Sequence, residues 1–175
     1  MRWTEFLTDE AERTYAITAR LLDMVEPDRL TWKPESGLNW MTTGQLLQHL
    51  SNACGQPCKG LVTGDWGLPD GTTLEDLTPE EMTPSAENLP SVSSVTEARE
   101  LLIEDEFLTL RMIREAGESA LENRQFCFPW EPGKTASLGM HIFRMVQHLD
   151  RHKSQLFYYL KLQGVPMGTS DLWGS

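Results

Sequence analysis

No apolar run in the chain approaches the ~18–20 residues of a membrane-spanning helix, so nothing in the sequence points to a helical membrane protein. Cysteine is scarce. Cys54, Cys58 and Cys127 are three, an odd number that makes no disulfide framework. Free thiols in a reducing compartment are the expectation. Positive charge is also scarce: 15 Lys and Arg stand against 26 Asp and Glu, for a net charge of −11 and a pI near 4.8. Phosphate backbones and anionic membrane surfaces need clustered cations, so neither nucleic acid nor a membrane is an expected partner. GxSxG, a Walker loop, GxGxxG and HExxH are missing, which removes several common enzyme classes. The N-terminal stretch MRWTEFLTDEAERTY is acidic and has no signal-like apolar core, so the expected location is cytoplasmic.

The 175 residues suit one domain with a proper core, over residues 1–175. Apolar residues recur at helical spacing over 3–25, through Phe6, Leu7, Ala11, Tyr15, Ala16, Leu21, Leu22 and Val25. Thr42 and Gln45 read as a capping box opening a second helix, which Pro57 ends or kinks near Gly55. Leu46, Leu50 and Ala53 define its buried face. Residues 60–93 show no clear element beyond a helical turn in LEDLTPEEM, and so long a loop reads as a lid or as a solvated connection. Ser94 and Glu97 make a second capping box, opening a third helix to about Ala116 whose apolar side includes Leu102, Phe107 and Ile113. FCFPWEPGKT is an extended or turn segment, and a last helix runs from Ser137 to a stop at Gly164. Long helices without a strand pattern predict an all-α four-helix bundle with a long loop between its second and third helices.

Histidine is rare too, with four in the chain, and its placement is the most informative feature. His148 and His152 are spaced i, i+4 on the last helix and so lie one above the other on one face. With His141 and Tyr159 they form a column within roughly 40° of arc, beside the apolar stripe of Leu138, Ile142, Met145, Leu149, Leu156 and Leu160. His49 borders the stripe of the second helix in the same way. If the two helices pack together, His49, His148 and His152 meet, and three imidazoles can hold one divalent metal while leaving a position open. An all-nitrogen set suits zinc or nickel first, then iron or cobalt. His141 lies about 10.5 Å along the axis from His148, which suits a pocket-lining role rather than ligation. A rival site of Cys54, Cys58 and His49 is disfavoured by Pro57 between the cysteines.

The capped helix TTGQLLQHL, with Thr42 seven residues before His49, and the run HLDRHKSQLFYYLKLQG, with His148, His152, Gln155 and Gly164, resemble the DinB-like family of metal-dependent proteins. Phe128 and Trp130 before the last helix fit the same pattern. Ser154 stands where relatives usually have Gly. The resemblance implies a helical bundle, often a homodimer, with a divalent metal between helices. In related branches it implies transfer or isomerisation reactions that use low-molecular-weight thiols such as bacillithiol, mycothiol or glutathione.

Two functional classes follow. One is a metal-dependent enzyme, a thiol S-transferase or a hydrolase, whose metal activates a small thiol or water against a small-molecule substrate. Gln155 and Tyr159 are placed to orient a ligand, Trp66 to anchor a lid over the pocket, and Trp130 to line it. Arg144 and Arg151, one flank further round, are placed to hold a carboxylate or simply to face solvent. The other class is a non-catalytic bundle that sequesters a metal or a small molecule, or uses the metal to stabilise a dimer.

Overall fold

The computed structural model describes residues 2–128 and 133–174, and the chain in it is mostly helical. Helix α1 spans Trp3–Leu22, α2 Thr43–Leu50, α3 Gly55–Thr63, α4 Pro79–Met82, α5 Val95–Asn123, α6 Leu138–Leu162 and α7 Thr169–Trp173. Helix α1 packs on α5 and α6, and α2 and α3 both pack between those long helices. Leu7 and Leu22 of α1, Leu46 and Leu50 of α2, Leu102 and Ile113 of α5, and Leu149 and Leu156 of α6 belong to one buried core. Among the described residues, no helix is long and apolar enough to cross a membrane.

Side chains at the helix starts explain where the helices begin. Thr42 Oγ1 accepts from Gln45 N at 3.2 Å while Gln45 Oε1 accepts from Thr42 N at 2.8 Å, a complete capping box. Ser94 caps α5 by accepting from Glu97 N at 3.0 Å, but Glu97 turns back to Ser93 N at 2.6 Å rather than to Ser94, so that box is only half made. Ser137 caps α6 through Met140 N at 3.2 Å.

Three features depart from the sequence reading. The second helix is two helices, because α2 stops at Leu50 and α3 restarts at Gly55. Pro57 therefore sits in the first turn of a helix, where a missing N–H leaves no intrahelical bond unmade within that turn. Second, the segment before the last helix pairs. Gln125–Cys127 (β1) runs antiparallel to Thr135–Ser137 (β2), with Phe126 opposite Ala136. These strands are three residues each, too short for an alternation to register. Third, Phe107 is 61% exposed, while Asp105 and Thr109 on the same helix are buried. The turn expected in LEDLTPEEM is present as a short 3₁₀ helix over Leu74–Asp76 followed by α4.

The interruption between α2 and α3 is held from α5. Asp105 Oδ1 accepts from Gly55 N at 2.9 Å, Asp105 Oδ2 accepts from Cys54 N at 3.4 Å, and Tyr15 of α1 donates its hydroxyl to Oδ2 at 2.6 Å. The carboxylate thus supplies, from another helix, the acceptor that a capping side chain would supply at an ordinary N-terminus. Gly55 is needed for this approach, since a Cβ there would lie 2.5 Å from Asp105 Oδ1 and 2.7 Å from its carbonyl oxygen.

Candidate metal centre

His49 near the end of α2 and His148 and His152 on α6 converge across the α2–α6 contact. His49 Nε2 lies 3.2 Å from His148 Nε2, and His152 Nε2 lies 3.0 Å from His148 Nε2. One ligand atom from each ring falls within 4.8 Å of the other two. No cysteine or carboxylate joins this group among the described residues. Cys54 and Cys58 are buried with their sulfurs 3.9 Å apart, and they form no part of it.

The proton positions in this cluster follow from its outer hydrogen bonds. Ala53 O can only accept, so His148 Nδ1 donates to it across 3.2 Å and the His148 Nε2 is bare. That carbonyl precedes Cys54, the N-cap of α3, so it lies outside the helical ladder and no intrahelical N–H claims it. On the other side, Tyr159 donates its hydroxyl to Met41 O at 3.0 Å, so it accepts from Gln155 Nε2 at 3.1 Å. That fixes the amide, whose Oε1 accepts from His152 Nδ1 at 3.0 Å. His152 Nε2 is therefore bare as well. Two lone pairs face each other at 3.0 Å with no proton between them. A divalent metal bound tetrahedrally at ~2.0–2.1 Å would set its nitrogens about 3.3 Å apart. The spacing and the donor set both fit such an ion, and the carbonyl and amide partners are the kind that fix ligand tautomers at metal sites.

Burial also favours neutral rings. It pulls His49 down from 6.5 to about 3, with the neighbouring histidines adding to the effect. His148 is lowered first by burial and then by His152, against the opposing bond to Ala53. His152 is lowered first by burial, with Gln155 opposing and Arg151 contributing. All three rings are thus neutral near pH 7, the form that ligates.

His148 opens onto a cavity of about 780 Å³ whose lining includes Trp66, Met82, Lys134, Arg144 and Arg151. Trp66 and Met82 bring the long segment after α3 to this wall. The indole sits so close to α3 that a Cβ at Gly60 would collide with it. Gln155 and Tyr159 support His152 rather than line the cavity. His141 stands apart: it is fully buried, bonded through Nε2 to Phe126 O at 2.8 Å and flanked by Phe126 and Phe128 rings at 4.5 and 4.1 Å. Trp130 lies outside the described residues. Sequence reasoning missed Lys134 and Met82 in the cavity wall, Ala53 O, and Asp105. No local pattern marks a backbone carbonyl or one acid among many.

A profile of the DinB superfamily matches residues 10–156. No curated protein and no solved structure matches the chain.

Proposed function

The chain belongs to the DinB superfamily, and on that premise we propose that it is a divalent-metal-dependent enzyme in which His49, His148 and His152 hold the metal. Zinc or nickel suits the three neutral nitrogens best, with iron or cobalt next. The observation that carries this reading is the pair of bare nitrogens of His148 and His152, 3.0 Å apart, with His148 opening to a cavity. A metal held by three side chains keeps a coordination position open and supplies Lewis acidity there, lowering the pKa of a thiol or water.

The chain's own residues do the rest. Gln155 and Tyr159 hold His152 in its ligating tautomer, and Ala53 O does the same for His148. Trp66 and Met82 supply apolar parts of the cavity wall. We propose a small thiol as the activated group and S-transfer as the reaction. The thiol loses its proton to solvent, its sulfur bonds to an electrophilic carbon, and the leaving group departs. The thiol rests on family resemblance, which makes it an analogy.

The proposal includes the setting. The molecule is one domain, a four-helix bundle whose fourth position is shared by α2 and α3. It is cytoplasmic, where Cys54, Cys58 and Cys127 stay reduced. It pairs as a homodimer, for which the exposed Ile103 and Phe107, one turn apart on α5, offer apolar surface. The test offers zinc- or nickel-loaded protein a panel of low-molecular-weight thiols with a chromogenic electrophile, beside His152→Ala. Conjugation in the wild type and none in the variant supports transfer. Hydrolysis without thiol replaces thiol by water, and tight retention of an unreacted ligand replaces the enzyme by a binding protein.

A further inference from the structure

The turn between α2 and α3 is pinned along its backbone and leaves one polar side chain uncommitted. Asn52 N donates to His49 O at 3.2 Å, and Ala53 O accepts from His148 Nδ1. The next two N–H groups, of Cys54 and Gly55, go to Asp105. The carboxamide of Asn52 is exposed and makes no hydrogen bond among the described residues.

Asn52 also stands where the open spaces around the histidines meet. It lines the cavity of about 780 Å³ with His148 and a pocket of about 30 Å³ with His49, and it is the one described residue common to both. His152 lines neither, and Gln155 backs its outer nitrogen. A ligand that reaches the facing nitrogens thus has its way in beside Asn52.

The side chain suits that place chemically. A carboxamide carries two N–H donors and a carbonyl acceptor, and its charge does not change with pH. The rings of α6 have no donor to spare, because His148 and His152 spend their N–H groups on Ala53 O and Gln155 Oε1. On a backbone already fixed, a hydrogen bond from this amide costs little further ordering.

We propose that Asn52 is a ligand-binding residue of this centre, donating from Nδ2 to the sulfur, oxygen or nitrogen atom that lodges at the metal's open position. The inference rests on the metal-centre reading and not on the choice of a thiol. A cation with an N–H donor beside it selects ligands with a compact head that is anionic or becomes so on binding.

The test uses cobalt-loaded protein, in which visible absorption reads ligand binding without turnover. The probes are 2-mercaptoethanol and azide. Asn52 is exposed, so neither Asn52→Ala nor the near-isosteric Asn52→Leu removes a buried contact. Both variants should keep their cobalt and bind either probe about tenfold more weakly. With 2-mercaptoethanol, the sulfur-to-cobalt charge-transfer band should move to lower energy in both, since a hydrogen bond to sulfur stabilises its lone pairs. A packing role would leave that band in place. Gln56→Leu, on the same cavity but away from His49, should stay within about twofold of wild type. Unchanged affinity in both Asn52 variants, an equal loss in Gln56→Leu, or a cobalt-loaded wild type that takes neither probe overturns this proposal and leaves the metal site standing. A wild type that takes up no cobalt overturns the metal reading, and this proposal with it.

Discussion

Two buried polar clusters lean on the same break between α2 and α3, and they are completed differently. On the α5 side, Asp105 takes hydrogen bonds from Tyr15, Cys54 and Gly55, and Tyr15 shares a further bond with Thr109 at 2.8 Å. Every donor there has an acceptor, and the cluster is a piece of architecture. On the α6 side, the outer nitrogens of His148 and His152 are satisfied while their inner nitrogens face each other with no hydrogen between them. Polar groups that are buried and fully paired hold a fold in one arrangement. Polar groups whose lone pairs converge without a donor point to a ligand.

The comparison predicts opposite losses from opposite mutations. Asp105→Ala should cost roughly 2–4 kcal/mol of stability, because it leaves buried N–H groups of Cys54 and Gly55 without an acceptor. The folded fraction should still take up metal. His148→Ala should change the stability of the metal-free protein by no more than about 1 kcal/mol and abolish most metal uptake. Chemical denaturation together with metal content reads both. Loss of metal in the first variant with full stability would merge the two clusters into one.

Next in size is the pH dependence, where the clusters again pull apart. Burial raises Asp105 from 3.8 to about 6 despite its hydrogen bonds. A raised carboxyl contributes stability that is fully present below about pH 4 and lost as pH rises through 6, by ~3 kcal/mol at most. The histidines are lowered, so their contribution in metal-free protein is present above pH 6.5 and lost as pH falls below it. Asp105→Asn should therefore remove the fall in stability between pH 4 and 6.5 and leave the histidine slope. Denaturation midpoints across that range check it.

Tyr159→Phe sharpens the account of the proton positions. Without the hydroxyl, Gln155 loses the acceptor that fixes its amide, and His152 is free to change tautomer. Metal affinity should drop by about tenfold, with a stability change near 1 kcal/mol. Competition with a chromogenic chelator measures the first. Pro57→Ala is the mildest change. It lies in the first turn of α3, where an added N–H enters no ladder bond, so metal affinity should stay within about twofold on the same assay.

The histidine side of this comparison was legible in the sequence and the aspartate side was not. His148 and His152 announce themselves by i, i+4 spacing, and His49 by its place on the flank of a capped amphipathic helix. The cap residues Thr42, Ser94 and Ser137 and the stop at Gly164 marked helix ends for the same local reasons that make them work. Asp105 is hidden because LIEDEFLTL offers five apolar residues and three acids at mixed spacing. The more hydrophobic Phe107 took the buried place that tertiary packing assigns to Asp105 and Thr109. Pro57 was misread because a proline that ends one helix and a proline that opens the next look alike until the partner of Gly55 is known.

Metal content per chain tests the central claim most directly. Protein purified without a metal-affinity tag is loaded with zinc or nickel, passed through a desalting column, and analysed for metal against chain concentration, with His49→Ala, His148→Ala, His152→Ala and His141→Ala in parallel. The account predicts one metal per chain in the wild type and in His141→Ala, and little in the other three. Full metal retention in His148→Ala, or none in the wild type, would contradict it.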